Sequence, residues 1–209
     1  MINSLIFLKS IVVGFAMCVP IGPIGILVIR KTITQNKYKA LVPGFGSLTA
    51  DIFYSTVAGF GIVIIGDFLA FHQKYFQLGA ATVLLLIAIN MLRTKPQRLL
   101  EKSKHVTASF IKNYLMGFFL ALFNAGTLFV ITTLMTALKI TTPEHTLSFG
   151  LAVTTGIFLG ELLWWLFLSN AAAIAKKRIG RNAPITINTF SGLFLLILST
   201  LLIIRIVAF

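Results

Sequence analysis

This sequence predicts an all-α fold: a polytopic membrane protein with six transmembrane helices arranged as two inverted three-helix repeats. Three observations carry that reading. The 209 residues are 57% hydrophobic and only 11% charged, with mean hydropathy +0.96, where a soluble domain carries about 25% charged residues. Six apolar stretches can be drawn, at about 5–29, 41–66, 75–92, 113–138, 146–170 and 188–208. Each reaches or approaches the ~20 residues that a helix needs to cross ~30 Å of hydrocarbon. Finally, a set of landmarks in the first half recurs in order in the second.

The connections justify the number of spans. Arg30, Lys31, Lys37 and Lys39 fall in the first. Arg93, Lys95, Arg98, Lys102, Lys104 and Lys112 fall in and beside the third, and Lys176, Lys177, Arg178 and Arg181 in the fifth. With six spans, all of these lie on one side, and only Lys9, Lys74, Lys139 and Arg205 on the other. Five spans would scatter them. Because cytoplasmic loops collect Lys and Arg, the expectation is an inner- or plasma-membrane protein with both termini outside the cytoplasm. The net charge of +13 is then a topology signal, with membrane lipid as its secondary partner and no nucleic acid. Cys18 is the only cysteine, so no intramolecular disulfide forms. The first apolar run has Lys9 inside it and no small-residue cleavage site, so it reads as a retained helix rather than a signal peptide.

The recurring landmarks begin with Gly14-Phe15 in the first span and Gly117-Phe118 in the fourth. Disturbed segments follow, Pro20-Ile21-Gly22-Pro23 and Phe123-Asn124-Ala125-Gly126. Next comes a span with an acid five residues after a glycine: Gly46 to Asp51, and Gly156 to Glu161. A repeat of three spans is odd, so its second copy enters the membrane from the opposite face, as in many secondary transporters. The predicted organisation is a first repeat at 1–92, a cytoplasmic connecting loop at 93–112 and a second repeat at 113–209.

Asp51 and Glu161 are the acids that stand alone inside apolar runs. An acid at the bilayer centre costs about 2.5–3.5 kcal/mol or more, so it marks a functional site. Both are read as proton-coupling or substrate-binding residues, and a structural ion or packing role is the competing reading. Pro20 and Pro23 remove helix hydrogen bonds, which would free the carbonyls of Ala16 and Val19; Gly22 adds backbone freedom. Irregular backbone at this depth survives where it lines a wet cavity. Its exposed dipoles suit a carboxylate at a half-helix N-terminus or an ammonium at carbonyls. Asn124 supplies a donor and an acceptor in the fourth span. Tyr54 follows Asp51 by one turn and either lines the path or packs. His72, His105 and His145 all fall in connections. No metal-ligand, Walker or nucleophile motif is present, so neither an enzyme nor a cofactor is expected.

The run from Gly14-Phe15 to Pro20-Ile21-Gly22-Pro23, then Pro43-Gly44 to Ala50-Asp51, resembles the LysE/RhtB superfamily of amino-acid exporters. The resemblance covers essentially the whole chain. It departs at Ala50, where the family has glycine before the acid, and at Asn124-Ala125-Gly126-Thr127, where the family has an Asn-Pro-Lys-like motif. It implies efflux of small amino acids or related amines by proton exchange, by a protein that is often a homodimer. Two alternatives stand beside it: a divalent-cation transporter using the two carboxylates, and a non-transporting structural membrane subunit.

Overall fold

The computed structural model describes residues 2–19, 22–61, 68–69, 71–93, 107–124, 126–140, 146–176 and 183–208. Among them there is no strand. The helices are α1 (Ile2–Cys18), α2 (Pro23–Thr34), α3 (Lys37–Phe60), α4 (Gln73–Arg93), α5 (Thr107–Leu122), α6 (Gly126–Ala137), α7 (Leu147–Lys176) and α8 (Ala183–Ala208). Helix α5 starts at Thr107, inside the stretch read as connecting loop.

By length and composition, α4, α7 and α8 can each cross a membrane. The pairs α1–α2 and α5–α6 bring the number to five if each counts as one broken span; they bend by 77° and 65° at their breaks. Helix α3, read as the second span, is the exception. Its 24 residues extend about 36 Å, but Pro43, Ser47, Thr49, Asp51, Ser55 and Thr56 make it too polar. It tolerates most of them because α5 and α7 cover one side of it: Pro43, Ser47, Asp51, Tyr54 and Ser55 are buried, while Thr49 lies on the exposed side. Asn36 caps its N-terminus by accepting from the Lys39 N–H at 2.8 Å. Gly61 ends it in the left-handed region at φ 63°, a conformation glycine adopts without a Cβ penalty.

The first break is a change of helix rather than a kink. Pro23 is the first residue of α2, where its missing N–H was an orphan in any case. The Ala16 carbonyl, expected to be free, accepts from the Val19 N–H at 3.2 Å. At the second break, Asn124 N–H donates to Ala121 and Thr127 N–H to Asn124, both at 2.9 Å. Helices α2 and α6 begin at residues 23 and 126, with Pro23 and Gly126 separated by the same 103 residues as Gly14 and Gly117.

Glycines set two close crossings. A Cβ on Gly14 would lie 2.7 Å from the Ile157 carbonyl carbon of α7, and one on Gly117 would lie 2.7 Å from the Pro43 carbonyl carbon of α3. From the facing side, Gly160 meets Ile11 and Phe15 of α1, while Gly46 meets Tyr114 and Phe118 of α5. Backbones this near exclude any side chain, which is how small residues tighten helix pairs. Tyr114, Gly117 and Phe118 each follow Ile11, Gly14 and Phe15 by 103 residues; Ile157 and Gly160 follow Pro43 and Gly46 by 114. In this pattern the counterpart of Gly46 is Gly160, not Gly156. Glu161 therefore matches Ser47, and Asp51 matches Trp165, one helical turn away from the acid-to-acid equivalence read in the sequence.

Helices α4 and α8 pair to one side, where Asn188 Nδ2 donates to the Met91 carbonyl at 2.8 Å. Basic residues from the first and fifth connections gather at one end of the molecule. Lys31 Nζ donates to Asn113 Oδ1 at 2.8 Å, Lys37 Nζ to Asn170 Oδ1 at 3.2 Å, and Lys176 Nζ to the carbonyls of Thr32 and Gln35.

Candidate functional site

The two helix breaks and the polar faces of α3 and α7 enclose a cavity of about 140 Å³. The end of α1 contributes Met17 and Cys18, and the start of α2 contributes Gly22, Pro23, Ile24 and Gly25. Ser47 and Asp51 come from α3, Ala121, Asn124 and Thr127 from around the second break, and Glu161 and Trp165 from α7. Five of the seven residues singled out in the sequence thus share one space: Asp51, Glu161, Gly22, Pro23 and Asn124. Pro20 lies outside the described residues.

Tyr54 is the residue that does not line the cavity. It is buried, and its hydroxyl donates to the Leu122 carbonyl. That carbonyl closes α5 at the break, where no helical N–H follows to satisfy it. Tyr54 therefore tethers the break to α3.

The acids are deeply buried, Asp51 at 6% and Glu161 at 1% exposure. Their carboxyls lie within hydrogen-bonding reach of one another. Glu161 Oε1 accepts from the Ser47 hydroxyl at 3.3 Å and from the Trp165 indole N–H at 3.4 Å, and the Cys18 thiol faces the same carboxyl. Asp51 is served less well: its Oδ1 is buried with no hydrogen-bond partner. An acceptor held away from water without a donor is costly. A proton on either acid, or an ammonium between them, would relieve it.

Ser47, Trp165, Thr127 and Met17 had no place in the sequence-derived site. Ser47 carried a signal, since it precedes Asp51 by four residues and so shares its helical face. Trp165 likewise follows Glu161 by four. Trp164 points elsewhere, packing edge-on against Phe15 at 5.2 Å. A larger cavity of about 310 Å³ lies between α4 and α5, but neither acid lines it. Among the described residues, no three His, Cys, Asp or Glu side chains gather as a metal site.

The family profile described as LysE type translocator matches residues 15–205. The chain belongs to the LysE type translocator family. The match spans both helix breaks and both acids, so the cavity is built wholly from family-matched sequence. Together with the apolar helices, it makes this translocator a multi-pass membrane protein. The translocator is also 26% identical over 195 residues, 92% of each chain, to a Bacillus subtilis (strain 168) protein named "Putative amino acid efflux protein YcgF". No solved structure matches it.

Proposed function

We propose that this translocator exports amino acids or closely related amines across the inner or plasma membrane in exchange for protons. Access to the cavity between the helix breaks alternates between the two faces. The observation that carries the reading is the pair of facing, buried carboxyls, one of which has an oxygen without a donor. Two carboxyls in such contact are eased by a shared proton or by a substrate ammonium, and the two compete for the same oxygens between the acids. Competition between proton and ammonium for one place is the physical content of antiport. The name of the Bacillus subtilis relative supports the amino-acid class.

In this reading the chain spans the membrane six times, with α3 as a span whose polar side its neighbours shield. The two halves are inverted copies joined through 93–112, and the matched glycine crossings support that relation. The basic end bearing Lys31, Lys37 and Lys176 faces the cytoplasm, placing both termini outside. A proton moving inward gains about 2.3 kcal/mol per 100 mV, enough to drive accumulation outside.

The test uses purified protein in liposomes loaded with radiolabelled alanine. An imposed pH gradient should accelerate wild-type efflux, and Asp51→Asn and Glu161→Gln should each abolish that acceleration. If both variants respond to the gradient as wild type does, proton exchange at this site is wrong.

A further inference from the structure

We infer that the cavity selects zwitterions with a single ammonium and a short, uncharged side chain, and seats their carboxylate on the uncapped N-terminus of α2. This rests on the export reading above and narrows its substrate class.

Consider first the charges. Among the described residues the cavity is lined by two acids and no basic residue, yet an amino acid brings a carboxylate that must be satisfied. Helix α2 supplies the complement. In its first turn, Ile24 and Gly25 carry N–H groups that have no intrahelical acceptor among the described residues, and Gly22 at the cap offers no side-chain hydrogen bond. Such a terminus bears roughly half a positive charge and binds carboxylates. It opens into the same cavity as Asp51, whose buried Oδ1 also lacks a partner. A buried acceptor and helix-end donors across one small space suit a zwitterion. Its ammonium meets the acids and its carboxylate caps the helix.

Next consider size and the second charge. The cavity's 140 Å³ gives room for a small amino acid, and a longer side chain would have to extend out of it. The rest of the wall mixes Met17, Ile24, Ala121 and Trp165 with the polar groups of Cys18, Ser47, Asn124 and Thr127. Because the two acids face each other and take one ammonium between them, a second, as on lysine, would find only neutral groups and no carboxylate of its own, at a cost of several kcal/mol.

Gly22 gives the sharpest handle. Its backbone is extended, at φ −84° and ψ −170°, as N-caps usually are. A Cβ there meets nothing within 4 Å. Serine fits this position and would accept from the Gly25 N–H, so it would stabilise α2 while consuming the donor that the substrate needs. A merely structural glycine would not place stability and transport in opposition.

The experiment follows exchange of radiolabelled alanine by the purified protein in liposomes. The trans compounds are alanine, threonine, lysine, ethylamine and propionate, and thermal unfolding is measured alongside. Alanine and threonine should exchange, and the other three should be at least tenfold slower. Gly22→Ser should unfold at a higher temperature than wild type and exchange alanine at least tenfold more slowly. Gly22→Ala, which cannot cap, should unfold no higher than wild type and exchange alanine faster than Gly22→Ser. If lysine exchanges as fast as alanine, the charge selection is overturned while amino-acid export stands. If Gly22→Ser is stabilised yet exchanges alanine at the wild-type rate, the carboxylate seat is overturned. If no amino acid exchanges at all, the export reading fails and this inference with it.

Discussion

Replacing Gly117 by alanine tests the close crossing of α3 and α5 on which the cavity depends. The added methyl would lie 2.7 Å from the Pro43 carbonyl carbon and 2.8 Å from its Cα. Carbon atoms pack best at about 3.5–4.0 Å, so the helices must separate by about 0.8 Å or more. Backbone, unlike a side-chain tip, has no rotamer to yield. Overpacking of this kind costs about 1–3 kcal/mol, and Gly117→Ala is expected to lose about 2 kcal/mol. Gly14→Ala, 2.7 Å from the Ile157 carbonyl carbon at the other crossing, should lose a similar amount. The two losses should add, because they lie at separate contacts. Gly22→Ala is the control, with open space around its Cβ and a cost of no more than about 1 kcal/mol for the weaker cap. Denaturant unfolding of the purified protein in detergent reads all four variants. If Gly117→Ala unfolds at the wild-type denaturant concentration, the reasoning that ties glycine to backbone contact here is refuted.

Two further consequences concern polar ties between helices. Tyr54→Phe leaves the Leu122 carbonyl without its donor, so it should cost about 1–3 kcal/mol in the same unfolding assay. Since Tyr54 does not line the cavity, its apparent affinity for alanine should stay within about twofold of wild type, a difference below about 0.5 kcal/mol. Lys31 and Asn113 join α2 to α5 at 2.8 Å, and a hydrogen bond to a charged group contributes about 1.5–3 kcal/mol. A double-mutant cycle of Lys31→Met and Asn113→Leu should return a coupling in that range, whereas additive losses would show that the contact does not hold the helices together.

The helical class and the placing of both breaks were legible because apolar run length and proline-glycine clusters are local signals. So was the gathering of Asp51, Glu161, Gly22, Pro23 and Asn124, since unusual residues at one membrane depth have few places to go. Spacing along a chain fixes depth, however, and not the register between helices. The one-turn offset that sets Glu161 against Ser47 became visible only when Gly46 and Gly160 were seen against their partner backbones. Lys31 shows the same limit. It read as one more cytoplasmic charge, while its acceptor Asn113 lies 82 residues away. Helix α3 read as an ordinary span because its polar residues are spread through an apolar run, and their burial depends on neighbours that the pattern does not name. Tyr54 read as lining the path or packing because it follows Asp51 by three residues and lies about 60° from it around the helix, and that spacing does not say which neighbour offers its hydroxyl an acceptor. Its hydroxyl reaches the end of α5 instead.

The most direct test of proton exchange at Asp51 and Glu161 is to add alanine to the purified translocator in weakly buffered solution and follow a pH indicator. Binding should release a proton from the wild-type protein and none from Asp51→Asn or Glu161→Gln. Saturable alanine binding that leaves the pH unchanged, or that acidifies the variants as much as the wild type, would contradict the account.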